Sequence, residues 1–198
     1  MRKKDIYTNL ETFIELVIKC LEESRIEYVI IGSIASIKWG RPRTTSDVDV
    51  IINAEKEKVH SLIRVLETNG FDYGTQDIMI AIQEKSLATI LHQDYPYKID
   101  IQGVYEPLNE RALRNRMYLT IFNRKAYLEK PEDLIVAKLK YGSETDFNDV
   151  KAILLRQKKN LDYEYIQQFA QQEGVLKELK ICEEEIEKYR KRSNEVVK

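Results

Sequence analysis

One stretch constrains this chain more than any other: Val29 to Ile52, VIIGSIASIKWGRPRTTSDVDVII. The apolar run Val29-Ile30-Ile31 reads as a buried strand. Gly32-Ser33 follows at its end, then Ile34 to Trp39 as a short helix. The turn-rich, basic piece Gly40-Arg41-Pro42-Arg43-Thr44-Thr45-Ser46 leads into a second strand, Asp47 to Ile52. Side chains alternate along a strand, so Asp47 and Asp49 project from one face, and Val48, Val50 and Ile52 from the other.

Two neighbouring carboxylates repel each other, and strands are depleted in Asp. Either both are solvated at a strand end, or a divalent cation offsets their charge. Hard oxygen ligands suit Mg²⁺ or Mn²⁺. The segment upstream favours the second reading. Gly32 permits close backbone approach to a ligand, Ser33 offers a hydroxyl, and the helix behind them aims its first N–H groups at a bound phosphate. A phosphate cradle, a connection and two carboxylates on the next strand suit a metal-chelated nucleoside triphosphate.

The pattern hydrophobic-Gly-Ser, a dozen residues, then Asp-hydrophobic-Asp-hydrophobic resembles the signature of the polymerase-beta-type nucleotidyltransferase superfamily. Gly32, Ser33, Asp47 and Asp49 carry the match. Arg43 and Thr45, just before the Asp pair, narrow it toward minimal prokaryotic nucleotidyltransferases such as the AbiEii-type toxin group. The resemblance implies a small mixed sheet, an NTP substrate and a third carboxylate on a later strand. It also places Arg43 and Thr45 with the nucleotide. Asp100, between isoleucines in Tyr97-Lys98-Ile99-Asp100-Ile101-Gln102, is the candidate for that third metal ligand and for the base that activates an acceptor hydroxyl. The competing reading pairs Asp100 with Lys98 on an edge strand.

The rest of the chain reads as helices and strands around this motif. Residues 8–23 form an amphipathic helix with Thr8 as N-cap and Glu11 completing a capping box. Residues 53–68 form a second helix ended by Asn69-Gly70. Ile78 to Ile82 is a further strand, and residues 84–92 fit a short helix without deciding for it. Pro107 to Arg116 is a helix whose arginines meet either phosphate or solvent. Tyr118–Phe122 and Ala126–Leu128 form a hairpin around Asn123-Arg124-Lys125. From Pro131 the pattern is helical: Pro131 to Lys140, then Asp146 to Gln157, then residues 161–172 and 175–192.

The piece Pro131-Glu132-Asp133-Leu134-Ile135 with Lys138-Leu139, followed by Asp146-Phe147-Asn148-Asp149-Val150, is similar to the second signature of AbiEii-like enzymes. That likeness implies Lys138 in catalysis, as a point cation for developing charge, and Asp146 and Asp149 at the nucleotide. The chain departs from the signature between Lys138 and Asp146, where Tyr141-Gly142-Ser143-Glu144-Thr145 lacks the family's positive charges. Asp146 capping a helix start is the alternative.

The expected fold is α+β: a small mixed β-sheet nucleotidyltransferase core over residues 1–130, flanked by helices, with a C-terminal helical region over 131–198. The two cysteines, Cys20 and Cys182, form no CxxC or Cys/His cluster, so neither a zinc site nor a disulfide framework is suggested. No run spans a bilayer and no signal segment is seen, so a cytoplasmic protein is expected, with no membrane partner. A net charge of −1 gives no global basic field, so RNA contact requires a local patch. The resemblance implies transfer of an NMP group to a hydroxyl with release of pyrophosphate. The acceptor is RNA (tRNA, as in a toxin with an antitoxin partner), a protein or a small molecule. The alternative is a non-catalytic nucleotide-binding or interaction protein on the same fold.

Overall fold

The computed structural model describes residues 9–196, with side chains up to Tyr189. By contact density the chain divides into two compact units. One contains the residues up to Ile34 with Thr44–Glu129, and the other contains Ala35–Arg43 with the chain from Lys130 on.

The first unit is built on a six-stranded mixed sheet. Its strands are β1 (Tyr28–Ile30), β2 (Asp47–Ile52), β3 (Leu87–Leu91), β4 (Lys98–Gly103), β5 (Met117–Ile121) and β6 (Arg124–Leu128), in the order β3-β4-β2-β1-β6-β5. β2 runs parallel to β4 and antiparallel to β1, and β1 runs parallel to β6. The hairpin pairs β3 with β4 and β5 with β6 are antiparallel. This is the expected mixed α+β class.

Helices α1 (Leu10–Ser24), α3 (Lys56–Thr68) and α4 (Asp77–Glu84) pack on one another and on the sheet, with α4 against β3 and β4 and α1 against β6. Val48, Val50 and Ile52 lie on the buried face with Ile99 and Ile101, all at most 1% exposed. On the opposite face, Ala112 and Leu113 of α5 (Pro107–Arg114) cover Val29 and Ile51. α5 therefore closes one end of that face, next to the carboxylates of β2.

Three local expectations change. The α1 cap is Asn9, whose side chain accepts from the Glu11 N–H, and Thr8 lies outside the described residues. Ile78 to Ile82 is helix, inside α4, rather than strand: Ile78 and Ala81, three residues apart, are both buried, while Ile80 between them is exposed. Residues 87–91 form strand β3 rather than helix, because Ala88 and Ile90 alternate inward with period two. Short apolar runs carry little periodicity, and tertiary burial decided both.

The second unit is helical. α2 (Gly32–Trp39) begins in the first unit, and its residues from Ala35 on belong to the second. There they join α6 (Pro131–Tyr141), α7 (Glu144–Gln157), α8 (Tyr163–Gln172) and α9 (Leu176–Val196). Pro131 occupies the first turn of α6, where its missing N–H is harmless, and Gly142 ends that helix at φ 69°. Ser143 caps α7 in a capping box with Asp146, so this helix begins two residues before the predicted start. The side chain of Arg156 donates to the Gly40 carbonyl and that of Gln157 to the Trp39 carbonyl, tying the end of α2 to α7.

Candidate active site

The sheet register sets Asp49 directly beside Asp100, and Asp47 beside Lys98, across the parallel β2–β4 pair. Directly paired residues share a face, so three carboxylates and one ammonium stand together. β4 is an interior strand, covered on its far side by β3, and not the edge strand of the competing reading. The Lys98 pairing is nevertheless present. Lys98 Nζ lies 2.6 Å from Asp100 Oδ2, and the Thr89 hydroxyl donates to Oδ1 at 2.7 Å. The hydrogen bond to Asp100 raises the Lys98 pKa, with the nearby charges of Asp100, Asp47 and Asp49 adding to it against partial desolvation.

Asp47 is held from two sides. The Thr45 hydroxyl donates to Oδ1 at 2.6 Å, and the Ser33 hydroxyl approaches the same atom at 3.4 Å. Thr45 and Ser33, expected at the nucleotide, direct their hydroxyls to the first carboxylate and fix its orientation. Gly32 has a sharper reason than approach to a ligand. It opens α2 at φ +61°, and a Cβ there would stand 2.3 Å from Asp49 Oδ2. Only glycine combines that backbone conformation with that proximity.

In the second unit, Asp149 is fully buried, and three cations surround it. Lys138 Nζ lies 3.1 Å from Oδ2, Arg43 Nε 3.3 Å from Oδ2, and Arg41 Nε 3.6 Å from Oδ1. No aligned hydrogen bond reaches either oxygen, so the attraction is coulombic. Lys138 also donates to Asp146 Oδ1 at 2.6 Å, while the Ser143 hydroxyl and N–H hold Oδ2. Burial alone would raise the Asp146 pKa, but the bonds from Lys138 and Ser143 outweigh it and hold it below the usual value. Asp146 is thus both the helix cap and the partner of Lys138. The structure brings Lys138, Asp146, Asp149 and Arg43 into one cluster, and adds Arg41.

Sequence reasoning missed Thr89 and Arg41. Thr89 had a signal, the alternation Leu87-Ala88-Thr89-Ile90-Leu91, in a stretch that the sequence left undecided between helix and strand. Arg116, a candidate phosphate ligand by sequence, pairs with Glu27 at 2.9 Å and lies over the Tyr127 ring.

Among the described residues, no three His, Cys, Asp or Glu side chains are already gathered at metal-ligand spacing. The donor chemistry still suits a hard cation: Asp47 and Asp49 offer carboxylate oxygens on one face, and Asp100 joins them if Lys98 releases it. No described helix is long and apolar enough to cross a membrane.

Several solved structures share the fold. An antigenic nucleotidyltransferase-like protein from Paracoccidioides brasiliensis is similar at 19% identity and a TM-score of 0.52, covering 87% of this chain and 91% of that one. ANT(2″)-Ia, solved in complex with adenylyl-2″-tobramycin, is similar at 14% identity and a TM-score of 0.56, over 82% and 95%. The lincomycin-bound lincosamide antibiotic adenylyltransferase LnuA is similar at 17% and 0.50, over 74% and 96%. No curated protein matches the chain in sequence. Residues 8–195 match the family described as nucleotidyltransferase of unknown function (DUF6036), and the chain belongs to that family.

Proposed function

We propose that the protein transfers an NMP group from an NTP to a hydroxyl, with Mg²⁺ or Mn²⁺, at the carboxylate face of β2 and β4. The observation that carries this is the register that sets Asp49 beside Asp100, with Asp47 one step along the same face. Asp47 and Asp49 would hold the metal, and Asp100 would share it. When bound, the cation supplies charge stabilisation at the phosphoryl oxygens.

The chain's own residues do the rest. Thr45 and Ser33 orient Asp47, and Gly32 leaves room for Asp49. The first N–H groups of α2 offer donors to the outer phosphates. Asp100 accepts the proton of the acceptor hydroxyl. That oxygen attacks the α-phosphorus, the bond from the α-phosphorus to the bridging oxygen breaks, and pyrophosphate leaves with the electron pair. In the second unit, Asp149 holds Arg41 and Arg43, the arginines of the connector that leads into β2, and Lys138 shares that carboxylate. Asp146 keeps Lys138 in place. This gives the cluster a positioning role beside the nucleotide-binding role that the signature implies.

The likeness to AbiEii-type toxins makes RNA, tRNA in particular, the first acceptor to test, with an antitoxin as partner. ANT(2″)-Ia, solved with adenylyl-2″-tobramycin, and LnuA, solved with lincomycin, make small-molecule hydroxyls the second. The test uses purified protein, Mg²⁺ and each α-labelled NTP, with cellular RNA, protein extract and small alcohols as acceptors. Asp49→Ala runs alongside. Label transferred by the wild type and lost in Asp49→Ala supports the reading. Transfer undiminished in Asp49→Ala would sink it.

A further inference from the structure

We propose that Lys98 is a built-in counter-ion for Asp100: its ammonium holds the third carboxylate out of the metal site, and a divalent cation completes its ligand set by displacing it. This rests on the transfer reading above and goes further by giving Lys98, which that reading leaves unused, control over the site.

The contact is specific. Lys98 Nζ lies 2.6 Å from Asp100 Oδ2, a short, charge-assisted hydrogen bond. The other oxygen, Oδ1, accepts from the Thr89 hydroxyl at 2.7 Å. Each oxygen of Asp100 is therefore engaged, one of them by a full positive charge. Asp47, by contrast, takes its bonds from the neutral hydroxyls of Thr45 and Ser33, which leave its charge for a cation. The register explains the choice of partner. Lys98 and Asp100 stand two residues apart on β4, so they share a face. The β3 neighbour of Lys98 on that face is Leu91, which offers an ammonium nothing.

The pair is also built to open. The Lys98 backbone is fixed, because its N–H donates to the Ser46 carbonyl at 3.0 Å. Its side chain is 35% exposed, against 7% for that of Asp100. The outer partner is thus a point charge on a flexible four-carbon stem, and the inner one a short carboxylate that Thr89 anchors. Moving the outer one uncovers the inner one. Mg²⁺ or Mn²⁺ carries twice the charge of an ammonium and favours carboxylate oxygens. Until Lys98 leaves, Asp100 neither ligates a cation nor takes a proton from a hydroxyl, so the base becomes competent only once the cation has arrived.

The test measures Mn²⁺ binding to the full chain without nucleotide, at neutral pH, from the electron paramagnetic resonance signal of free Mn²⁺. Thermal unfolding checks that each variant is folded. Lys98→Met should bind Mn²⁺ about 10- to 150-fold more tightly, the equivalent of one hydrogen bond to a charged group. Lys98→Gln, also neutral, should do the same and stands in if Lys98→Met fails to fold. Lys98→Arg, which keeps a cation on Asp100, should bind as wild type. In an Asp100→Asn background, Lys98→Met should gain far less, because the carboxylate it would free is gone. Unchanged Mn²⁺ affinity in the folded neutral variants overturns the counter-ion role. An equal gain in the Asp100→Asn background also overturns it, since any nearby positive charge would have that effect, and so does a Lys98→Arg protein that binds as tightly as Lys98→Met. Asp49→Ala separates the two levels: Mn²⁺ binding undiminished there puts the metal elsewhere and refutes the transfer reading itself, whereas binding that needs Asp49 and ignores Lys98 refutes only the counter-ion.

Discussion

Replacing Gly32 by alanine separates backbone strain from carboxylate placement. The left-handed φ of +61° costs an L-residue about 1–2 kcal/mol. For a chain of this size that lowers Tm by about 2–8 °C. The new Cβ would also stand 2.3 Å from Asp49 Oδ2, 3.0 Å from its Cγ and 3.3 Å from its Cβ. Ordinary contact begins at 3.4 Å, so Oδ2 has to retreat by about 1 Å, a misplacement that costs about 10²-fold in rate when it befalls a reacting group. Rotation of a short side chain relieves the overlap, so this clash adds little to the stability loss.

The expected variant is folded, melts a few degrees lower and transfers about a hundredfold more slowly at saturating NTP. Thermal unfolding and single-turnover transfer, measured on the same preparation, read the two effects separately. In an Asp49→Ala background the overlapping oxygen is gone, so adding Gly32→Ala should cost only the backbone part. A Gly32→Ala protein with wild-type rate and Tm would refute the reasoning.

Three further outcomes follow from the described contacts. Thr45→Val removes the 2.6 Å hydrogen bond to Asp47 Oδ1; transfer should fall about 10- to 150-fold, in line with the roughly 1.5–3 kcal/mol of a hydrogen bond to a charged group, with circular dichroism unchanged, and an unaltered rate would show that Asp47 needs no such support. Lys138→Met leaves Asp149 buried with only the two arginines and should destabilise by about 3 kcal/mol, near the lower end for breaking a buried pair; chemical denaturation showing no loss would mean that Arg41 and Arg43 suffice. Because the folded pKa of Asp146 is depressed, its stabilisation is present above the unfolded value of about 3.9 and is lost as pH falls through the folded value. Asp146→Asn should therefore flatten the acid limb of the Tm–pH profile, and an unchanged limb would remove Asp146 from the account. Lys98 has the opposite sense: with its pKa raised, its contribution is complete below about pH 10.4 and is lost as pH rises through the folded value.

The sequence by itself determined the strand that carries Asp47 and Asp49, and its neighbours. Asp47–Ile52 was legible because alternation with period two is local: six residues fix which side chains share a face. Gly32-Ser33, the Pro131 helix start and the hairpin around Asn123 were legible for the same reason, since turn and cap chemistry is written in adjacent residues. Asp100 stood out as a charge between isoleucines, but nothing local said what lay beside it.

Tertiary structure decided the rest. The register of β2 against β4 brought Asp49 beside Asp100 across fifty-one positions of chain, and no periodicity reports pairing at that distance. Within residues 78–91 the apolar runs are short, so Ile78–Ile82 read as strand and residues 84–92 stayed undecided until packing chose between helix and strand. That choice placed Thr89 on Asp100 and exposed Leu87 and Leu91 on the carboxylate face. The duties of Gly32, Thr45 and Asp149 were likewise invisible in one dimension. Each is set by one side chain meeting another, and the chain has to fold before those atoms are neighbours.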